Sequence, residues 1–248
     1  MVGIGIITRN RYEYLERCVD SLFDNNSYLM DYPLVIGDDA SDKDVLSKTQ
    51  SKYCCYTDWD ENYILHFRKQ RGMSANIKQV VDLCEAYLNL KYLFFTVNDF
   101  YNTREIDFPA LLKFMDENPK VGQIQMVHYK GVLGDPKRER HAFNWTSGEP
   151  EKFGDWKQVG KERLRKTNYS FVNLPAITRL HQCDITRGTI ERERRKGERP
   201  EKYIQNIELR WVKNWYDTGL ENWEIDPATQ PFLGMDVDMK NQTDGIKA

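Results

Sequence analysis

A chain of 248 residues can bury a full core, most simply as one domain with a C-terminal elaboration. Charged residues make up 30% of it and its apolar runs are far too short to span a bilayer, so a membrane-embedded class is excluded and a soluble protein expected. The net charge of −2 conceals an asymmetry: residues 152–202 hold 14 basic and 7 acidic side chains, and the remainder 22 and 31. Charge runs are commonly solvated faces, yet an anionic acceptor would be drawn to this stretch. Five cysteines (Cys18, Cys54, Cys55, Cys84 and Cys183) lack CxxC spacing. They indicate neither a disulfide framework nor a zinc site, and a cytoplasmic location is the expectation.

Residues 2–8 are β-branched and apolar with interspersed glycines, and read as a buried strand rather than a leader peptide. The turn Arg9-Asn10-Arg11 follows, and Leu15, Val19, Leu22 and Phe23 then recur at helical spacing over 12–23. A second apolar strand begins at Pro33 and ends in Asp38-Asp39-Ala40-Ser41-Asp42, which makes the opening a βαβ unit. Residues 64–67 suggest a third strand. Arg71 and Gly72 lead into a helix over 77–88 for which Ser74 is a plausible N-cap.

The run Tyr92–Val97 is apolar without interruption and stops at Asn98-Asp99. Such a run suits a strand buried on both faces of a parallel sheet, and ligands of such sheets bind beyond the carboxyl ends of the strands. A carboxylate there can hold a divalent cation that also grips a phosphate. A helix over 109–118 and a strand over 121–127 continue the alternation, which implies an α/β sandwich.

Four segments in order carry a resemblance: residues 4–22, Asp38-Asp39-Ala40-Ser41-Asp42, residues 71–76 and Asn98-Asp99. Together they resemble the nucleotide-sugar half of a family 2 glycosyltransferase. The match covers residues 2 to about 128. It implies a GT-A-type, Rossmann-like three-layer sandwich with a mostly parallel central sheet. It also implies that Asp38 or Asp39 receives the base or a ribose hydroxyl, that Thr8 and Arg9 lie beside base and phosphates, and that Arg71 lies close to the diphosphate. Asn76 ends the family's Gly-x-x-x-Asn segment, and Asn98-Asp99 stands where its Asp-x-Asp motif belongs, with Asp99 as ligand to Mn²⁺ or Mg²⁺. Asn98 and Phe100 depart from that motif. One carboxylate, diphosphate oxygens and waters can still hold the ion, with His128 or His181 as a further ligand.

The second half resembles the family less. A general base must be a carboxylate within reach of the acceptor hydroxyl. Gln205-Asn206 falls where an acidic pair is expected, so the candidates are Glu208 and Glu201, with Asp184 behind them. Residues 201–215 also read as an amphipathic helix with Ile204, Ile207, Trp211 and Trp215 in the core. Trp145 and Trp156 lie in irregular aromatic segments of the kind that bind sugars or bases. Residues 222–248 read as a surface tail. The expected organisation is a donor half over 1–128, an acceptor and base half over 129–221, and the tail.

The resulting expectation is an inverting, metal-dependent transfer from a nucleotide-diphosphate sugar, UDP-linked for preference, to a glycan or glycolipid. A hydroxylated base of DNA and protein side chains are alternative acceptors. A nucleotidyltransferase and a non-catalytic nucleotide-sugar-binding module are the readings from other classes. The oligomeric state is not readable.

Overall fold

The computed structural model describes residues 1–59, 62–127, 153–167, 175–181, 214–215 and 217–235. Strands and helices are numbered in chain order. The three apolar runs become β1 (Val2–Thr8), β2 (Leu34–Asp38) and β4 (Tyr92–Val97), in which every residue but Val97 is buried. Strands can be apolar on both sides only where each side is covered. On one face α1 (Tyr12–Asn25) packs Leu15, Val19, Leu22 and Phe23 onto the sheet, joined by Phe108, Leu111 and Met115 of α4 (Phe108–Glu117). On the other, α3 (Met73–Asp82) contributes Ile77, Val80 and Val81. The result is three layers.

With β3 (Tyr63–His66), these strands form a parallel array in the order β3-β2-β1-β4. The nine-stranded sheet then changes character. β9 (Ala176–Arg179) runs antiparallel between β4 and β6 (Val121–Gln125). β10 (Glu221–Ile225) lies parallel to β6, β8 (Glu162–Thr167) antiparallel to β10, and β7 (Lys157–Val159) at the margin. A separate ribbon pairs β5 (Phe100–Asn102), which follows Asp99 directly, with β11 (Phe232–Gly234). Among the described residues no helix is long and apolar enough to cross a membrane.

Besides β5, β7, β8, β9 and β11, for which the sequence raised no expectation, three elements differ from expectation. α2 (Lys43–Tyr53) was not anticipated, because it buries only Thr49 and Tyr53 and so lacks an apolar stripe. α3 starts at Met73, one residue past Gly72 at φ 93°, which makes Gly72 the N-cap and puts Ser74 inside the first turn. That left-handed conformation is readily open to glycine alone. The same helix leaves α geometry at Leu83 for a π turn, Leu83–Tyr87. Finally, Asn222 to Ile225 are not surface tail but a strand inside the sheet. β10 sends Trp223 and Ile225 to the core beside α1 and α4, while Asn222 and Glu224 are buried on the opposite side. Polar residues on a buried face hide the apolar signal.

Candidate active site

The carboxyl ends of the parallel strands form one edge. There the structure brings together Thr8, Asp38, Asp39, Asn98 and Asp99, with Arg71 and Asn76 supplied by the start of α3. Gly37 explains how α3 comes so close. A Cβ there would stand 2.5 Å from the Asn76 side chain and 2.8 Å from Val80. In the space left free, Asn76 Nδ2 donates to the Gly37 carbonyl at 3.0 Å and reaches the Thr8 carbonyl at 3.5 Å. Asn76 therefore joins the last residues of β1 and β2 from below.

Asp38 and Asp39 of the β2 turn are both committed to the protein. Asp38, fully buried, accepts from the Ser41 N–H at 2.8 Å and from the Ser41 hydroxyl, and its Oδ1 lies 2.8 Å from His66 Nδ1. Asp39 accepts from the backbone N–H groups of Arg71 at 2.7 Å and Gly72 at 2.9 Å. These bonds fix the approach to α3 and turn the Arg71 backbone toward the edge. Asn10 and Ala40, at φ 50° and 62°, fold the two neighbouring turns against each other. The Asn10 N–H donates to Ser41 Oγ at 2.7 Å, and the Asp42 N–H to Asn10 Oδ1 at 2.7 Å.

Asn98 is buried and its Nδ2 donates to Thr8 Oγ1 at 2.9 Å, tying β4 to β1. Asp99 points outward, with its side chain 41% exposed, and its Oδ1 accepts a hydrogen bond from the Arg11 guanidinium. Arg9, Arg11, Arg68, Lys69 and Arg71 are all exposed along the same rim. The edge is thus a polar floor, internally hydrogen-bonded, beneath a cationic margin, and it offers donors to an anion such as a diphosphate. Burial, with Asp99 close by, pushes the Cys18 thiol far above its ordinary range, so this cysteine beneath the floor is inert filler.

Asp99 is suited to a divalent ion bound largely through phosphate oxygens and water, a mode available with one or two carboxylates. It is not suited to a cage built wholly from protein, since no group of three potential ligands occurs among the described residues. His181 is not a partner for it. β9 runs antiparallel to β4 with Arg179 opposite Tyr92, so His181 leaves the sheet at the far, amino edge, 3.5 Å from Glu85. His128, Asp184, Glu201, Glu208 and Trp145 lie outside the described residues. Trp215 is buried as expected of a core residue, and Trp156 is half-buried under Arg163 and Arg165.

Sequence reasoning missed His66 and Arg11. Arg11 belongs to the turn read after the first strand, but spacing alone gives no sign of which arginine meets Asp99. The Arg104–Glu162 pair was also missed. Two parallel bonds of 2.8 and 2.7 Å hold a carboxylate that is 1% exposed, and they fasten the loop after β5 to the start of β8.

The model of glycosyl transferase family 2 matches residues 4–177, well past the stretch in which the motifs fall. The chain belongs to that family. Among solved structures, S. aureus TarS 1–349 in complex with UDP overlays with a TM-score of 0.54 at 15% identity, covering 94% of this chain and 60% of that one. A longer form of S. aureus TarS overlays at 0.55 with 13% identity, covering 94% and 36%. The Pyrobaculum calidifontis mannosyltransferase PcManGT, in complex with GDP-Man and Mn²⁺, overlays at 0.40 with 16% identity, covering 50% and 34%. The fold is the GT-A type. The chain spans 60% or less of the length of each of these structures. No curated protein matches it.

Proposed function

We propose that this family 2 member transfers a sugar from a nucleoside-diphosphate sugar to an acceptor hydroxyl with inversion. The observation that carries the reading is the convergence of Thr8, Asp38, Asp39, Arg71, Asn98 and Asp99 on one carboxyl edge beneath an arginine-rich rim. Asp38 and Asp39 shape the pocket for base and ribose, with Thr8 and Arg9 at its side. Arg71 serves the diphosphate, while Asn76 and Asn98 hold the three strand ends in register. UDP is the first nucleotide to try, because the TarS 1–349 fold was crystallised with it.

Asp99 would hold Mn²⁺ or Mg²⁺, and that ion would neutralise charge on the departing diphosphate. Glu208 is the proposed base and Glu201 the next candidate. Either would take the proton of the acceptor hydroxyl as the new glycosidic bond forms and the sugar–phosphate bond breaks. The basic stretch 152–202 and its neighbouring aromatics would receive the acceptor, a glycan or glycolipid. A cytoplasmic location belongs to the same proposal.

The test is thermal melting against UDP, GDP and their sugars, with and without Mn²⁺. A ligand that binds only the folded chain stabilises it by mass action, by about 2.7 kcal/mol at a hundred times its Kd, and so raises the melting temperature. A Mn²⁺-dependent rise with one nucleotide is expected. No rise with any of them overturns the reading.

A further inference from the structure

The ion pair at the rim raises a question of charge. Asp99 is the carboxylate proposed to hold a divalent cation, yet a cation of the protein already sits on it. Arg11 is firmly seated by its backbone. Its carbonyl accepts from the Leu15 N–H at 3.0 Å in the first turn of α1 and from Asn98 Nδ2 at 3.4 Å. Its side chain is 48% exposed. The guanidinium carbon lies 5.3 Å from the centre of the Tyr14 ring, and Asp99 Oδ1 is its one hydrogen-bond acceptor among the described residues.

We infer that Arg11 is a donor-binding residue that exchanges partners: it neutralises Asp99 while the edge is empty and turns to the diphosphate when a divalent ion takes Asp99. The inference rests on the proposed donor reading and goes beyond it by adding a residue and an order of events. An exposed ion pair is weak and readily exchanged. A divalent ion on Asp99 would repel the guanidinium from the shared oxygen. The diphosphate that arrives with the ion offers a better partner, because a planar guanidinium can give two parallel bonds to phosphate oxygens. With its backbone fixed by Leu15 and Asn98, Arg11 needs only side-chain rotation to make the change. Its place beside Asp99 keeps it within reach of anything that shares the ion. The ion and the nucleotide then bind cooperatively, since each removes what the other would have to displace.

The experiment compares wild-type protein with Arg11→Gln and Arg11→Lys. Mn²⁺ alone is titrated first, its free concentration read by electron paramagnetic resonance. UDP, or GDP if that is what raises the melting temperature, is then titrated calorimetrically with Mn²⁺ present. Arg11→Gln is expected to bind Mn²⁺ alone about threefold more tightly, the measure of an exposed pair removed. It should bind the nucleotide about tenfold more weakly, the measure of a lost charge-assisted bond. Arg11→Lys should stand between wild type and Arg11→Gln in both titrations. The two effects run in opposite directions, which simple damage to the edge would not produce. Nucleotide binding that is unchanged in Arg11→Gln, or Mn²⁺ binding that weakens together with it, overturns the exchange while leaving the donor site standing. Failure of the wild type to bind any nucleotide overturns the donor reading and the exchange with it.

Discussion

The two halves of the sheet solve different problems. From β3 to β4 the strands are parallel, and β1, β2 and β4 are apolar toward both helical layers, so that little besides burial specifies them. From β9 to β7 the strands are antiparallel except where β10 lies parallel to β6, and only one face is apolar, with Ile124, Leu164, Ile177, Trp223 and Ile225. The opposite side carries Gln123, Gln125, Thr167, Thr178, Asn222 and Glu224, all buried. Ion pairs run across these later strands. Arg165 meets Glu224, Lys166 meets Glu221 and Arg163 meets Asp226. The first half is a scaffold that presents ligand groups only at its rim, whereas the second carries polar groups through its interior. The proposed donor and acceptor functions should therefore be separable by mutation.

The largest effects should test that separation. Asp99→Ala, in the first half, is expected to weaken Mn²⁺-dependent nucleotide binding by about a hundredfold or more. Unchanged affinity in calorimetry would remove Asp99 from the site. Glu208→Gln, at the proposed base, should leave that affinity intact and lower turnover by about 10²–10⁴-fold, the usual worth of a general base. Wild-type turnover would hand the role to Glu201. Next comes stability. Arg104→Ala strips the buried Glu162 of two bonds and leaves it the Asp107 N–H at 3.3 Å. A cost of about 2–3 kcal/mol is expected in urea unfolding, less than for a wholly buried pair because Arg104 is partly exposed.

Ala40→Gly should do the reverse. Ala40 sits at φ 62°, where a Cβ costs about 1–2 kcal/mol. Relief of that strain, set against the greater freedom of glycine in the unfolded chain, predicts a gain of up to about 1 kcal/mol. An unchanged or lower urea midpoint would show that the turn is not strained. The smallest effect concerns acid. The Lys91 ammonium donating to Asp116, helped by the Tyr92 hydroxyl, holds the Asp116 carboxyl below its ordinary 3.8. A depressed carboxyl contributes stability that is fully present above the unfolded value and is lost as pH falls through the folded one. The stability difference between wild type and Asp116→Asn should thus be constant above about pH 5 and shrink below pH 4.

The first half was readable because burial on both faces leaves a plain mark. Tyr92–Val97 could hardly be anything but an inner strand, and Asp99 follows from where it stops. The same logic failed for β10, whose Asn222 and Glu224 break the apolar run although both are buried. It failed for α2, whose surface is mostly water-facing. Turn chemistry was half-readable. Arg71-Gly72 was seen to lead into α3, but Ser74 has the composition of an N-cap while Gly72 has the conformation. Pairings over long separations, such as Arg11 with Asp99 or Arg104 with Glu162, leave no local pattern and emerge only once the chain is folded.

The position of β9 has a consequence for the newborn chain. β4 is complete at Val97, but the strand that covers its free edge begins at Ala176, roughly eighty residues later. Synthesis at about 5–20 residues per second leaves that apolar edge without its neighbour for several seconds. Unpaired edges of this kind invite other strands. The Asp99 carbonyl waits longer still, since it is bonded by the N–H of Met235. The ribosome must deliver the chain as far as Met235 before the carboxyl edge of the parallel strands is closed.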